Sequence, residues 1–447
     1  MPAIRLRRSK ALALLGAVLL GALPAASHAE PLSWTQLQAA VVAQAGGELK
    51  AFYAHEDRPL WVTPDGRLDD RAAAALLALL RTARYDGLDP HALGVDELAL
   101  AVERAGKDPT PATLARAELL LSRVLGAYAA AMRGPTEGDM LYEHDVLRPF
   151  EPMVHVTLAQ AEAAGSTTDY VENMPWMHPL YAPLRRALLG DAHDASQAQA
   201  AERTLERLRA IPAPMWSRHI VIDAAGARLW MYEGDRAVDS MRVVVGKPDS
   251  QTPAMAGYVR YAILNPYWNI PDDIVRSRIA PGVLSGGVRY LTVRGYEVLS
   301  GWSEDAELLE PAKVDWRKVR DGTLEVHVRQ RPSASNAMGK VKYEFPNPLG
   351  IYLHDTPEKN LLQEDARQFS SGCIRLEDAE RLGRWLLDGE LPDAGAEPES
   401  KLDLPQPVPI YITYLTAHAD GERIAVGPDP YGRDLSPGRP STTVRAD

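Results

Sequence analysis

The sequence predicts an α+β chain in two parts, a helical N-terminal part and a mostly β C-terminal part. Three observations carry this. Alanine- and leucine-rich stretches with helical spacing fill residues 30–212. After Trp216 the apolar pattern changes to strict alternation, the signature of half-buried strands. At 447 residues, the chain also exceeds the usual size of one domain.

The elements follow in order. "MPAIRLRRSK" supplies Arg5, Arg7, Arg8 and Lys10, then "ALALLGAVLLGAL" is an apolar run, and Ser27 and Ala29 are small residues set as at a cleavage site. Residues 1–29 therefore read as a secretory signal peptide, too short for a membrane span. The expected product works outside the cytoplasm, in a bacterial-type compartment. In the helical part, "DRAAAALLALLRTARYDGLDP" ends in a glycine turn before Pro90. "TPATLARAELLLSRVLGAYAAAMRG" starts at Thr110–Pro111, stops at Gly134, and sets Leu114, Leu121, Leu125 and Tyr128 on one stripe. Two more helices are expected, one in "MPWMHPLYAPLRRALLGDAHD" and one in "QAQAAERTLERLRAIPAPMW", which Pro212 and Pro214 end.

The β part is expected over residues 213–435. "RHIVIDAAGARLWMYEGDRAVDSMRVVVG" reads as three strands with turns at Ala224–Gly226 and Glu233–Asp235. Further strand patterns are "GYVRYAILNP", "TLEVHVRQ", "VKYEF", "GIYLH" and "VPIYITYLTAHADGERIAV". Residues 268–322 are too long for an ordinary loop and read as a lid or capping insertion. Residues 388–409 are Pro- and acid-rich and are expected to cross the surface. The tail, 436–447, is expected to be disordered.

Charge bounds the partners. Lys and Arg number 49 and Asp and Glu 60, a net of −11. Without the four basic residues of the leader, 45 face 60, a net of −15. So acidic a chain is a poor coat for nucleic acid or anionic lipid. Cys373 is the only cysteine, so no intrachain disulfide exists. The histidines of the helical part lack metal-ligand spacing, no HExxH or clustered His/Asp set appears in the sequence, and neither a metal nor another cofactor is expected.

That lone thiol is either sealed in the core or used. Gly372 precedes Cys373, and "LEDAERLGRWLL" follows with helical spacing. The sulfur is therefore expected beside a helix N-terminus, which would favour thiolate. His354, in "GIYLHDTP", is a candidate base, and it shares a strand face with Tyr352. From the spacing alone, a surface or core histidine that merely donates to a carbonyl is the stronger reading.

The stretch "YLHDTPEKNLLQEDARQFSSGCIRLEDAERLGRWLL" resembles the signature of the L,D-transpeptidase family, cysteine enzymes that remodel bacterial peptidoglycan. His354, Ser370, Gly372, Cys373, Ile374 and Arg375 match it. "MRVVVGKPDSQTPAMAGYVRYAILNPYWNIPDDI" and "VRQRPSASNAMGKVKYEFPNP" are similar to its large periplasmic subgroup, whose members carry a helical scaffold domain. "RPLWV", "GLDP" and "AELLLSRVLGAYAAAMRG" resemble that scaffold. Ser371 departs from the pattern, standing where the family usually has histidine.

The resemblance implies an L,D-transpeptidase-like catalytic domain behind a scaffold domain at 30–212. It implies acyl transfer in which Cys373 attacks a donor tetrapeptide stem, His354 moves the proton, and the amine of an acceptor stem takes the acyl group to give a 3→3 cross-link. The backbone N–H groups of Ser371, Gly372 and Cys373 would hold the oxyanion. Arg375, Tyr352, Tyr267, Trp268, Arg331 and Asn336 are the candidate substrate-binding residues. For Arg375 a salt bridge to the acidic turn after it, and for Tyr352 core packing, are equal alternatives; for Tyr267 and Trp268 simple packing, and for Asn336 a turn or loop-bracing role, are the leading ones. Carbapenem-type inhibitors would acylate the thiol. The competing functions are an L,D-carboxypeptidase or cross-link hydrolase with the same residues, and a non-catalytic wall-binding protein.

Overall fold

The computed structural model describes residues 34–434, apart from 56–58, 135–139, 214–217, 304, 394 and 396. The signal peptide expected at 1–29 and the tail expected at 436–447 lie outside the described residues. No helix among the described residues is long and apolar enough to cross a membrane.

Helices α1 (Trp34–Gln44), α2 (Gly47–His55), α3 (Asp70–Arg81), α4 (Val95–Lys107), α5 (Pro111–Arg133), α6 (Val154–Ala163), α7 (Thr167–Asn173), α8 (Tyr181–Leu189) and α9 (Ala195–Arg209) build the N-terminal part. Local chemistry sets their ends. The Asp69 carboxylate accepts from the N–H groups of Arg71 and Ala72 at the start of α3. Thr110 and Thr113 cap each other's backbone at the start of α5, where Pro111 loses no hydrogen bond. The expected stripe Leu114, Leu121, Leu125 and Tyr128 is fully buried.

Two polar networks sit inside this helical core. Asp86 receives Arg185 Nε and Nη2 at 2.8 Å each, Tyr128 at 2.7 Å and Tyr181 at 2.8 Å. The carboxylate is saturated, and it ties α5 and α8 to the turn after α3. Removing either charged partner leaves a buried unpaired ion, at a cost of about 3–5 kcal/mol. Glu118 accepts from Tyr53, from Leu60 N–H and from Trp61 N–H, and burial pushes its pKa up to about 7.

The C-terminal part is a closed sheet. The short β1 (Leu141–Tyr142) reaches it from the helical side and pairs in parallel with Met255 and Ala256. Next come β2 (Arg218–Asp223), β3 (Arg228–Glu233), β4 (Arg236–Gly246) and β5 (Met255–Leu264). A subdomain follows, with β6 (Trp268–Ile270), α10 (Asp272–Ile274), α11 (Ala280–Gly286), α12 (Arg289–Val293), β7 (Tyr296–Leu299), α13 (Trp316–Arg320) and β8 (His327–Gln330). The chain returns with β9 (Val341–Glu344), β10 (Leu353–His354), β11 (Gln368–Ser370), β12 (Ile374–Leu376), α14 (Ala379–Leu387), β13 (Ser400–Thr413), β14 (Ala417–Asp420) and β15 (Arg423–Val426).

Among the described residues the order β5–β13–β2–β3–β4–β12–β10–β9 closes on itself, because β9 also pairs with β5. Inward residues of these strands, with Leu382 and Leu386 of α14, form one core. Outward residues Val221, Tyr232, Ala256 and Tyr411 join the helical core instead. The helices therefore pack against the outside of the barrel.

Two expectations change. "TLEVHVRQ" forms a strand, but β8 lies between β6 and β7 in a separate three-stranded sheet, not in the main one. Its inward residues bury against Ile270, Val275, Ile279 and Trp316, so the insertion carries its own core. Residues 400–409, expected to cross the surface, belong to β13 and pair with β5. Of the three prolines there, Pro405 and Pro407 fall where the register shifts, between Asp403 and Val408, and Pro409 lies in the paired run opposite Tyr258.

At the seam between the parts, His178 meets His219 and Tyr232, with the His219 ring stacked on Tyr232 at 4.7 Å. Burial drives both imidazoles down, to about 3 for His178 and about 4 for His219. The unfolded chain takes up these protons first, so the pair favours unfolding as pH falls below about 6.5. Glu118, and Asp223 at about 6, pull the opposite way, because buried neutral carboxyls lose stability as pH rises. The histidine part is therefore read as a difference. Thermal melts of His178→Phe against wild type should show the variant gaining several degrees relative to wild type between pH 7 and pH 5. A difference that stays constant across that range would exclude the mechanism.

Candidate active site

Strand pairing builds the site. β10 and β12 run parallel, with Leu353 opposite Ile374 and His354 opposite Arg375. Side chains alternate along a strand, so Leu353, Ile374 and Leu376 point into the barrel core. Tyr352, His354, Cys373 and Arg375 consequently share the outer face. The Ile374 N–H donates to the Tyr352 carbonyl at 3.1 Å, continuing the register to Cys373.

The loop before the sulfur is held by backbone and hydroxyl contacts. Ser370 Oγ donates to the Cys373 carbonyl at 2.6 Å and accepts from Gly372 N–H at 3.1 Å. Thr252 Oγ1 donates to the Gly372 carbonyl at 2.7 Å. Gly372 has φ +117°, and a Cβ there would stand 3.2 Å from Ile351 Cδ1. Only glycine takes that conformation without strain. The N–H groups of Ser371 and Cys373 meet no acceptor among the described residues, whereas that of Gly372 is already used.

His354 is 2% exposed, and its Nδ1 lies 2.6 Å from the carbonyl oxygen of Asp355. A carbonyl only accepts, so Nδ1 carries the proton and Nε2 is the free acceptor. The Asp355 carboxylate serves elsewhere, accepting from Lys340 N–H and pairing with Lys359 at 2.7 Å. Burial, with Arg375 second, pushes the imidazole pKa down to about 3.

The sulfur differs from expectation. The strand β12 intervenes between Cys373 and α14, so the thiol does not adjoin the N-terminus of that helix. Burial pushes its pKa up, and hydrogen bonds from the Tyr352 backbone and hydroxyl oppose that. Its sulfur points at the Gly350 carbonyl, 3.7 Å away. No hydrogen bond joins it to the imidazole among the described residues. The register explains this, because Cys373 stands opposite Tyr352 and His354 one pleat further on. The resting pair is neutral thiol and neutral imidazole.

Other candidates scatter. Arg375 bonds Glu358, in the segment that follows His354, and not the acidic turn after it; Glu377 of that turn pairs with Arg242 at 2.6 Å. Asn336, counted among the substrate-binding candidates, is fully buried with its amide committed to the carbonyls of Pro266, Gln330 and Arg331 and to Met338 N–H. It pins the neck of the insertion and has no donor left for a ligand. Tyr267 lies against the Arg329 guanidinium, 4.0 Å from the ring centre, and lines a recess of about 540 Å³ with Trp302. Trp268 packs on the insertion core, and exposed Arg331 sits 3.8 Å from Glu297. Asn336, Tyr267, Trp268 and Arg331 make no hydrogen bond to Cys373 among the described residues.

With the geometry in view, comparison identifies the two parts. Residues 217–410 match the family model of the L,D-transpeptidase catalytic domain (YkuD), and residues 47–188 match that of the scaffold domain. The chain contains an L,D-transpeptidase catalytic domain preceded by a scaffold domain. A protein of Haemophilus influenzae, itself provisionally named an L,D-transpeptidase, is 28% identical over 281 residues, which is 60% of this chain and 55% of that protein. The chain thus spans about half the length of that curated relative. Two solved structures show a weak likeness. One is an L,D-transpeptidase from Mycobacterium smegmatis, with 12% identity and TM-score 0.22 over 44% of this chain and 58% of that one. The other is the avibactam carbamoyl form of the enzyme Ldtfm, with 11% identity and TM-score 0.22 over 49% and 63%. The assignment rests on the family models.

Within the catalytic domain, Lys342 and Glu344 were missed from the sequence. β9 pairs Lys342 with His354, and Lys342 lies 3.1 Å from Glu344. Glu344 raises the thiol pKa and Lys342 lowers that of His354. The signal was present in "VKYEF", where Val341, Tyr343 and Phe345 are buried and the charged residues alternate with them. A thiol pKa above the ordinary value of about 8.5 leaves little thiolate at pH 7. The pH profile of Cys373 alkylation by iodoacetamide should therefore have its midpoint above that value, and Glu344→Gln should move it down. A profile that levels off below pH 7 would contradict this assignment.

Proposed function

We propose that this chain is a periplasmic peptidoglycan L,D-transpeptidase that forms 3→3 cross-links through a Cys373 thioester. The observation that supports it most is the shared sheet face of Cys373 and His354, with Nδ1 of the imidazole tied up and Nε2 left to accept a proton. The thiol and imidazole are both neutral at rest, so proton transfer accompanies attack instead of preceding it. The sulfur adds to the carbonyl of the donor stem's L-centre while its proton passes to His354. The oxyanion is met by the N–H groups of Ser371 and Cys373. As the adduct collapses, the carbon–nitrogen bond breaks and the proton goes to the departing D-alanine amine. The acceptor amine then attacks the thioester and gives up a proton to His354, and the thiol is restored. Ser371 supplies its N–H in place of the family's histidine.

Purified muropeptides test this directly. Wild type should convert tetrapeptide monomers into cross-linked dimers with release of D-alanine. Cys373→Ala should yield none, and His354→Gln should be slower by about 10²–10⁴-fold. A carbapenem should add its mass to Cys373. Shortened monomers without dimers would assign the site to hydrolysis, and undiminished dimer formation by Cys373→Ala would remove the mechanism.

A further inference from the structure

The insertion carries a set of side chains that this reaction does not use. Asp272 opens α10, just past β6, and Glu325 and His327 lie two residues apart on the approach to and start of β8. Pairing of β6 with β8, Ile270 opposite Val328, brings the three together. One ligand atom from each lies within 4.8 Å of the other two. His327 Nδ1 is 4.0 Å from Asp272 Oδ1, too far for a hydrogen bond. That nitrogen is closed off from solvent and has no hydrogen-bond partner among the described residues. The Trp302 ring, 4.7 Å away, packs against the imidazole and limits its rotation. Glu325 has no ion-pair partner among the described residues, and Asp272 has only the imidazole. Arg276 shares an adjoining recess with both carboxylates yet is not in ion-pair contact with either.

We propose that Asp272, Glu325 and His327 bind one divalent cation of the zinc class, which clamps the outgoing and returning arms of the insertion. The donor set argues for it. One imidazole nitrogen with two carboxylates suits zinc better than magnesium or calcium, which take all-oxygen shells. Three protein ligands leave one position for water. Zinc bonds of about 2.0–2.2 Å require the ligand atoms to close in around the ion. The two carboxylates are free to do so, since Glu325 is exposed and the Asp272 side chain is 40% exposed. The imidazole is already held. The ion neutralises two adjacent acids and satisfies the orphaned nitrogen. This site is separate from Cys373, and the clamp is independent of the proposed reaction.

The test is zinc titration of the chelator-stripped full chain by calorimetry, in a Cys373→Ser background so that the thiol takes no metal. One zinc per chain is expected. Glu325→Gln and His327→Gln should each weaken it at least about tenfold. Glu325 is exposed, so its variant tests the site without disturbing the fold, and circular dichroism verifies this for both. Zinc should also slow amide exchange in residues 268–274 and 324–330 of the parent and not of the variants. Absence of saturable binding, or equal affinity in the parent and both variants, would overturn the site. Binding with unchanged exchange would overturn the clamp.

Discussion

Much of this structure depends on one short parallel ladder, marked by the Ile374 N–H bond to the Tyr352 carbonyl. It joins two strands of two and three residues, too short to hold together alone. Their flanking partners hold them. β9 lies against β10 and β4 against β12, and barrel closure leaves neither edge free. A parallel pair needs a crossover, and the segment from Asp355 to Cys373 supplies it. Its path is pinned at several points. Lys359 donates to the carbonyls of Leu376 and Glu377, and Arg367 to that of Gly226. β11 pairs with β4. The sulfur and the imidazole thus stand on a rigid wall, and what remains adjustable is side-chain rotation.

The electrostatics of that wall favour neutral groups. Burial raises the thiol and lowers the imidazole, so a resting ion pair is disfavoured from both sides. Neighbouring charges sharpen this, since Glu344 disfavours thiolate and Lys342 and Arg375 disfavour imidazolium. A neutral thiol also oxidises and alkylates less readily, because thiolate is the reactive form.

The surrounding parts divide the labour. The scaffold helices cover the outer wall of the barrel through Val221, Tyr232, Ala256 and Tyr411. The insertion has its own core, and buried Asn336 fastens its neck by bonding to chain on both sides of it. Such a unit is built to keep its shape whatever its setting relative to the barrel.

Local chemistry made much of this legible. Thr110, Pro111 and Gly134 marked α5, and alternation marked the hairpins β2–β3–β4, because caps and side-chain periods act within a few residues. The family signature also lies within one continuous stretch, so Cys373, His354, Gly372 and Arg375 were visible as a group. What the sequence alone could not decide came from pairing between distant segments. Register put Tyr352, not His354, opposite Cys373. It replaced the expected helix terminus by a strand, and it turned Lys342 and Glu344 toward the site. The same pairing moved β8 into the small sheet and gave Arg375 a partner in Glu358. A periodicity states which face a side chain takes; only the neighbouring strand states what it meets there.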